Sequence, residues 1–410
     1  MGIGHLDLER LNRALIGFSE HMEELGLAPR TLKSLSLVLT TGCNLRCGYC
    51  YADRKGGRSM PWQVAHAALE LVYRRGCPHC RICLYGGEPL LHLSMVQRVV
   101  DYIRQRWSAE SRPEAILCTN GTLLDQRTVQ WLVDRDVRVQ LSSDGVEPAQ
   151  AQRGEGTFQV LDTTLGSMAR DHPQFVSTKL VIKLTLTAAN LPYLAKSIEY
   201  LMGFGVASID VIPLDTHDPM WTEESASLLE EQLEAVRKLF SDRLRSHGTV
   251  PSKLLDVAPP TASRRPLGDG MCGFGQGTDL VVDVDGSLIA CSALVSSFQS
   301  IRGELHRDLM ACAAVGNILT CDESALVAEL RRRRDSSPVI LGRSKKWSNS
   351  GPCRECEFFA ECFVCPVSIA HVPGSADPHR IPRNQCEFNK AVGRQREKFR
   401  KDIESQAPTN

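Results

Sequence analysis

The sequence predicts an α/β fold in which a partial (β/α)6 barrel, built on a parallel sheet, precedes a cysteine-rich α+β module. Three observations predict it. Between residues 33 and 216, six short β-rich runs are separated by amphipathic stretches, the pattern of βαβ units and a parallel sheet. A tight cysteine trio, Cys43-x3-Cys47-x2-Cys50, follows the first of those runs. Seven of the nine cysteines from Cys272 to Cys386 form a second and separate pattern.

Taken in order, residues 1–32 read as a helical extension. Its opening, MGIGHLDLERLNRALIGF, is acidic early and lacks the charged start and apolar core of a signal peptide. Leu6 also breaks the myristoylation pattern. The barrel spans 33–216, with strands expected at Leu35–Leu39, Ile82–Tyr85, Ala115–Thr119, Val137–Ser142, Leu180–Thr187 and Ser208–Pro213. Amphipathic segments near Pro61–Arg75, Met95–Trp107, Gln126–Asp134, Phe158–Arg170 and Leu191–Met202 supply its helices. Residues 217–270 read as one long charged helix and a linker, APPTASRRP. The cysteine module occupies 271–395 and a charged tail 396–410. Within the module, DLVVDVDGSLIAC reads as a β-hairpin turning at Asp285-Gly286. The run Arg331–Arg334 reads as a solvated helix face.

Composition bounds the function. Lys plus Arg equals Asp plus Glu at 48 each, so no global field favours nucleic acid or an anionic membrane. No apolar run approaches the roughly 18 residues needed to cross a bilayer. Sixteen cysteines without a secretory signal imply a reducing, cytoplasmic setting, where cysteines serve metals or catalysis.

The trio carries the most chemistry. Three thiolates in eight residues, with no fourth cysteine within 25, suit an iron–sulfur cluster that keeps one iron open. A zinc site completed by Cys80 and Cys83 is the competing reading. Gly86-Gly87-Glu88-Pro89 follows the second strand, where two glycines let a backbone approach a ligand closely. Thr119-Asn120-Gly121-Thr122 ends the third strand and Ser142-Ser143-Asp144-Gly145 the fourth. Each is also a plain turn or cap sequence. Asp215 and His217, after the sixth strand, read either as groups that orient a substrate or take its proton, or as plain loop caps. Cys77, Cys80 and Cys83 sit at the helix-to-strand end of their unit, and with Cys118 they read as structural thiols.

The stretch TTGCNLRCGYCYADRKGG, with Tyr49 directly before Cys50, resembles the radical S-adenosylmethionine (SAM) enzymes. The resemblance implies that Cys43, Cys47 and Cys50 hold a [4Fe-4S] cluster whose open iron chelates SAM. Gly86, Gly87, Glu88 and Pro89 match the family segment at the SAM amino group, and Asn120 a loop near the cofactor. Ser142 and Asp144 are similar to the family's Ser-x-Asp-Gly at the ribose. Such barrels work at the C-terminal ends of their strands, where all these motifs fall. The distal cysteines resemble the SPASM extension, which houses two auxiliary clusters. By position, Cys353, Cys356, Cys362 and Cys386 would hold the outer one, and Cys272, Cys291 and Cys365 the inner. A fourth inner ligand is undetermined: Cys312 or Cys321 would supply it, or the site stays open to substrate. One departure is that two residues, not the usual three, separate Cys362 from Cys365.

This resemblance implies three [4Fe-4S] clusters, SAM, and an electron donor such as flavodoxin or ferredoxin. It implies post-translational modification of a ribosomally made peptide, with a separate small leader-binding protein as a possible partner. The alternatives are a sulfatase-type formylglycine maturase, a sugar or cyclitol dehydrogenase, and a non-catalytic metal-binding or electron-relay module.

Overall fold

The computed structural model describes residues 32–53, 56–74, 80–256, 278–322, 326, 353, 355–358, 362, 364–375 and 380–405. The expected N-terminal extension, most of the linker, Cys77, Cys272 and Arg331–Arg334 lie outside them.

The six barrel strands form as expected: β1 Ser34–Thr40, β2 Arg81–Gly86, β3 Glu114–Thr119, β4 Arg138–Ser142, β5 Leu180–Leu186 and β6 Ser208–Pro213. Each pairs in parallel with the next. The intervening helices are α1 Trp62–Arg74, α2 Leu93–Arg106, α3 Gln126–Asp134, the single turn α4 Glu147–Gln150, α5 Thr157–Asp171, α6 Pro173–Lys179 and α7 Leu194–Met202. Pro173 starts α6 because its missing N–H and fixed φ suit the first helical position. The long helix α8 spans Glu223–His247, opened by a Thr222–Ser225 capping box and closed by left-handed Gly248.

Alternation along each strand decides the architecture. Leu35, Leu37, Ile82, Leu84, Leu117, Leu141, Ile182 and Leu184 are buried beneath the outer helices. Their neighbours Ser36, Cys83, Tyr85, Cys118, Gln140, Lys183 and Asp210 keep some accessible surface on the opposite face. Strand residues alternate between faces, so these polar groups line the inside of the barrel. Cys83 and Cys118 therefore do not sit in the apolar core, as the sequence suggested. They line a hollow, where burial holds both thiols protonated by raising their pKa.

The module continues the same sheet. Strands β7 Asp279–Val282, β8 Ser287–Ile289 and β9 Ala314–Asn317 give nine strands in the order β6-β5-β4-β3-β2-β1-β7-β8-β9. The expected hairpin is present, with Gly286 at φ 87° in its turn. Its first strand pairs parallel to β1, Leu35 opposite Leu280. Beyond lie α9 Glu304–Ala313, α10 Pro366–Ala370 and α11 Arg383–Glu404. The expected tail is corrected here: residues 396–404 continue α11. That helix packs along α8, bringing Phe399 to Phe240 with ring centroids 6.5 Å apart and Asp402 to Arg237 and Ser241. An apolar stripe with matching ion pairs keeps the charged sequence helical to its end.

Candidate active site

The trio loop leaves β1 and is held by every strand-end motif. Gly87 donates its N–H to Thr40 O (2.9 Å) and Glu88 its N–H to Gly42 O (2.8 Å). A Cβ on Gly86 would lie 2.4 Å from Thr40 O, and one on Gly87 2.1 Å from Gly42 O. Gly86 moreover sits at φ 152°. The two glycines thus permit backbone to run against backbone under the cysteine loop.

Glu88 is fully buried. Its carboxylate accepts from Leu90 N (3.0 Å), Thr119 Oγ1 (2.8 Å) and Asn120 N (2.7 Å). Burial raises its pKa, while those three donors pull it back. Its role is to fasten the end of β3 to the turn after β2, where Pro89 opens a 3-10 turn over Pro89–His92. Asn120 then reaches the trio loop: its Nδ2 donates to Asn44 Oδ1 (2.9 Å) and lies 3.9 Å from Cys43 Sγ.

Asp144 also differs from the expected ribose ligand. Its side chain has no exposed surface. It accepts from Tyr49 Oη (2.6 Å), Arg153 Nε (3.0 Å), Arg153 Nη2 (2.8 Å) and Thr185 N (3.2 Å). Every acceptor position is taken, so Asp144 holds Tyr49 and Arg153 in place. Ser142, by contrast, keeps accessible surface on the concave face. No sequence motif marks Arg153, which opens the RGEGTF stretch after α4, eleven residues beyond the fourth strand. Its carbonyl is 3.9 Å from Cys47 Sγ and its guanidinium 5.4 Å from the Tyr49 ring. Burial works to lower the pKa of Arg153, but the Asp144 charge outweighs it. Burial also raises the Tyr49 phenol, so the ring stays neutral.

The donor set fits a cluster. Cys43, Cys47 and Cys50 are half-buried and in no disulfide. N–H groups from Leu45 (3.4 Å) and Asn120 point to Cys43 Sγ, as suits a thiolate. Among the described residues, no group of three or more His, Cys, Asp or Glu is arranged to hold a single metal ion.

The far side of the loop is clasped by the module. Asp53 accepts from Ser300 N (2.9 Å) and pairs with Arg302 (3.6 Å), whose Nη2 donates to Tyr51 O (3.1 Å). Phe298 sits edge-on between Tyr51 and Tyr85, with centroids 6.4 and 6.0 Å apart. Across the mouth, Asp215 keeps exposed surface although protein surrounds it, so it faces a recess. That crowding raises its pKa, and Ser368 of α10, 3.5 Å away, only partly offsets it.

Residues 37–166 match the model of the Radical SAM superfamily. An uncharacterized protein of Methanocaldococcus jannaschii is 30% identical over 265 residues, covering 64% of this chain and 86% of that one. The chain belongs to the radical SAM superfamily. A cysteine-type anaerobic sulfatase-maturating enzyme of Clostridium perfringens (strain 13 / Type A) is 31% identical over 122 residues, 27% of this chain and 33% of its own. Among solved structures, anSMEcpe with bound AdoMet and Cp18Cys peptide superposes with a TM-score of 0.66 at 19% identity, over 91% of this chain and 98% of that one. Streptococcus suis SuiB bound to precursor peptide SuiA gives 0.58 at 13%, over 94% and 82%. As a radical SAM enzyme, this protein uses a [4Fe-4S] cluster and SAM. Among the described residues no helix is long and apolar enough to cross a membrane.

Proposed function

We propose that this enzyme matures a peptide, removing a hydrogen from one of its residues to install a crosslink, an oxidation or an excision. The placement of the module carries this reading. It extends the sheet from β1 and returns to Asp215 beyond β6, so both edges of the barrel mouth are bounded by it. A polar hollow closed in this way suits an extended chain whose side chain reaches inward. The two solved neighbours, each described with a peptide bound, support the same substrate class.

When bound, the cluster and SAM supply a 5′-deoxyadenosyl radical that takes a hydrogen atom from the substrate. Cys43, Cys47 and Cys50 would hold the cluster. Gly86 and Gly87, packed under the cysteine loop, would offer backbone groups to SAM, Asn120 and Pro89 would shape its recess, and Tyr49 would shield the trio. Asp215 is placed to accept the substrate proton once an electron leaves. Cys353, Cys356, Cys362 and Cys386 would hold an outer auxiliary cluster, and Cys272, Cys291 and Cys365 an inner one, as electron acceptors. A flavodoxin or ferredoxin would supply the first electron, and a separate leader-binding protein could present the peptide.

Anaerobically reconstituted protein should contain about twelve irons and no zinc. It should form 5′-deoxyadenosine from SAM under reduction, and Cys43→Ala should abolish this while Cys353→Ala spares part. With a candidate precursor peptide, mass spectrometry should show loss of two hydrogens for a crosslink or oxidation, or of the excised fragment's mass, and Asp215→Asn should keep 5′-deoxyadenosine but lose that product. The reading fails if peptides are never altered while SAM is cleaved. The sulfatase-maturase relative favours one second reading, which a cysteine-containing sulfatase peptide converted to formylglycine would establish.

A further inference from the structure

The trio loop is held from three directions. The turn after β2 lies beneath it, with Glu88 N–H on Gly42 O. Gly48 donates its N–H to Gln152 O (2.9 Å) and Tyr49 is bound to Asp144, so its second half leans on the turn after α4. Past Cys50, the module holds Tyr51 O through Arg302 and Asp53 through Ser300. Among the described residues, the outer run from Asn44 to Gly48 stays at the surface, and Asn44, Arg46 and Gly48 are exposed.

Two leucines stand beside that run without covering it. Leu91 is 43% exposed, and its Cδ1 lies 3.6 Å from where a Cβ on Gly42 would be. Leu123 is 39% exposed and follows Thr122, whose hydroxyl accepts from Asn44 Nδ2 (2.8 Å). Gly42 and Asn44 are the chain neighbours of Cys43, so the two leucines straddle it. Neither belongs to the barrel core. Apolar side chains grouped at the surface beside a reactive centre mark an interaction face.

Charge says what kind of partner fits. Of the two charges in residues 41–53, Asp53 is paired with Arg302, while Arg46 has no counterion among the described residues. The carboxylates nearby, Asp125 and Asp285, each have an arginine of their own, Arg127 and Arg58. The face is thus apolar with one uncompensated positive charge. It complements a protein whose redox group shows an apolar edge ringed by carboxylates. Electron carriers meet their partners over small, transient interfaces, for which such a face is large enough. A substrate bound in the hollow would lie on the other side of the loop.

We propose that Leu91, Leu123 and Arg46 form the docking surface for an acidic one-electron carrier protein of the flavodoxin kind, which reduces the trio's cluster past Cys43. One electron moves inward, the flavin passes from hydroquinone to semiquinone, and no bond is made. The proposal rests on the electron-donor reading above.

Flavodoxin is the probe, with the reconstituted full-length protein. By calorimetry at low salt, its Kd should rise about tenfold or more in Leu91→Glu, Leu123→Glu and Arg46→Glu. Wild-type affinity should weaken as salt is raised, and less steeply in Arg46→Ala. At subsaturating reduced flavodoxin, 5′-deoxyadenosine formation should fall by the same factor in the three glutamate variants. Formation driven by dithionite, which needs no docking, should stay at the wild-type rate. Flavodoxin binding that the three variants leave unchanged overturns the proposal, as does a wild type that dithionite activates and flavodoxin neither binds nor activates. Equal losses with both reductants overturn it too, and assign the leucines to the cofactor site. A wild type that neither reductant activates overturns the electron-donor reading and this proposal together.

Discussion

Asp144→Asn tests whether Asp144 is a brace for the cluster loop. The wild-type carboxylate serves four donors and is the counterion of Arg153, whose side chain is 7% exposed. Removing one partner of a buried ion pair costs about 3–5 kcal/mol, because the other charge is stranded. The amide also turns an N–H toward either Tyr49 or Arg153, both donors, which alone costs about 1–3 kcal/mol. The two figures overlap in the guanidinium, so about 4 kcal/mol is expected, roughly three orders of magnitude in the folding equilibrium. Urea unfolding of the cluster-free protein, followed by tryptophan fluorescence, measures it. The partner variant Arg153→Met strands the carboxylate and should cost about the same, while the double variant removes both charges. A coupling of about 2 kcal/mol or more between the two is expected, as for residues in one network. A single-variant cost below about 1 kcal/mol, or strictly additive losses, would refute the brace.

Gly87→Ala should displace the trio loop, since its Cβ would fall 2.1 Å from the Gly42 carbonyl; 5′-deoxyadenosine should drop at least tenfold and iron should fall by about four per chain, with the strand content by circular dichroism unchanged. Glu70, held at a pKa of about 2 by Arg106 and then Tyr102, has a folded pKa below its unfolded value. Its contribution is present above about pH 4.5 and lost as pH falls toward 2, so Glu70→Gln should remove about 1 kcal/mol of acid-dependent stability, discounted for solvent, in urea titrations across that window. Gly393→Ala should loosen α11 from the module, because its Cβ would meet the Phe358 ring at 2.5 Å; faster hydrogen exchange along 383–404, with that of the strands unaltered, is the readout.

Much of this was legible in the sequence, for identifiable reasons. The six strands announced themselves because each ends in a turn motif and is followed by a helix-period segment. The hairpin was readable from Asp285-Gly286. What escaped were non-local choices. Nothing in Asp279–Val282 says that it will pair with β1, 245 positions earlier (279 − 34), since register is set by partner and packing. Cys83 and Cys118 read as core in the sequence because thiols resemble small apolar residues, yet the period-two Ser34 and Ser36 in β1 mark a polar inner face. Asp144 matched a motif correctly in sequence but its carboxylate was claimed by Arg153, a partner visible only once α4 and the turn after it fold back. The charged tail stayed helical because α8 supplies the face that its own composition hides.

The pairing of β7 with β1 bears on how this protein can be cut, moved or evolved. A barrel expressed without the module would bare Ser34–Leu37 of β1, an unpaired edge and an invitation to aggregate, while Leu39–Thr41 would keep their bonds to Arg58–Met60. Nor can the module drift in small steps. A slip by one residue would shift it about 3.3 Å along the strand and turn its inward groups outward. The separation between the site where a radical begins and the cysteines of the module is therefore indexed by backbone hydrogen bonds. Insertions between the two halves can lengthen the connecting chain freely, and that distance will not change.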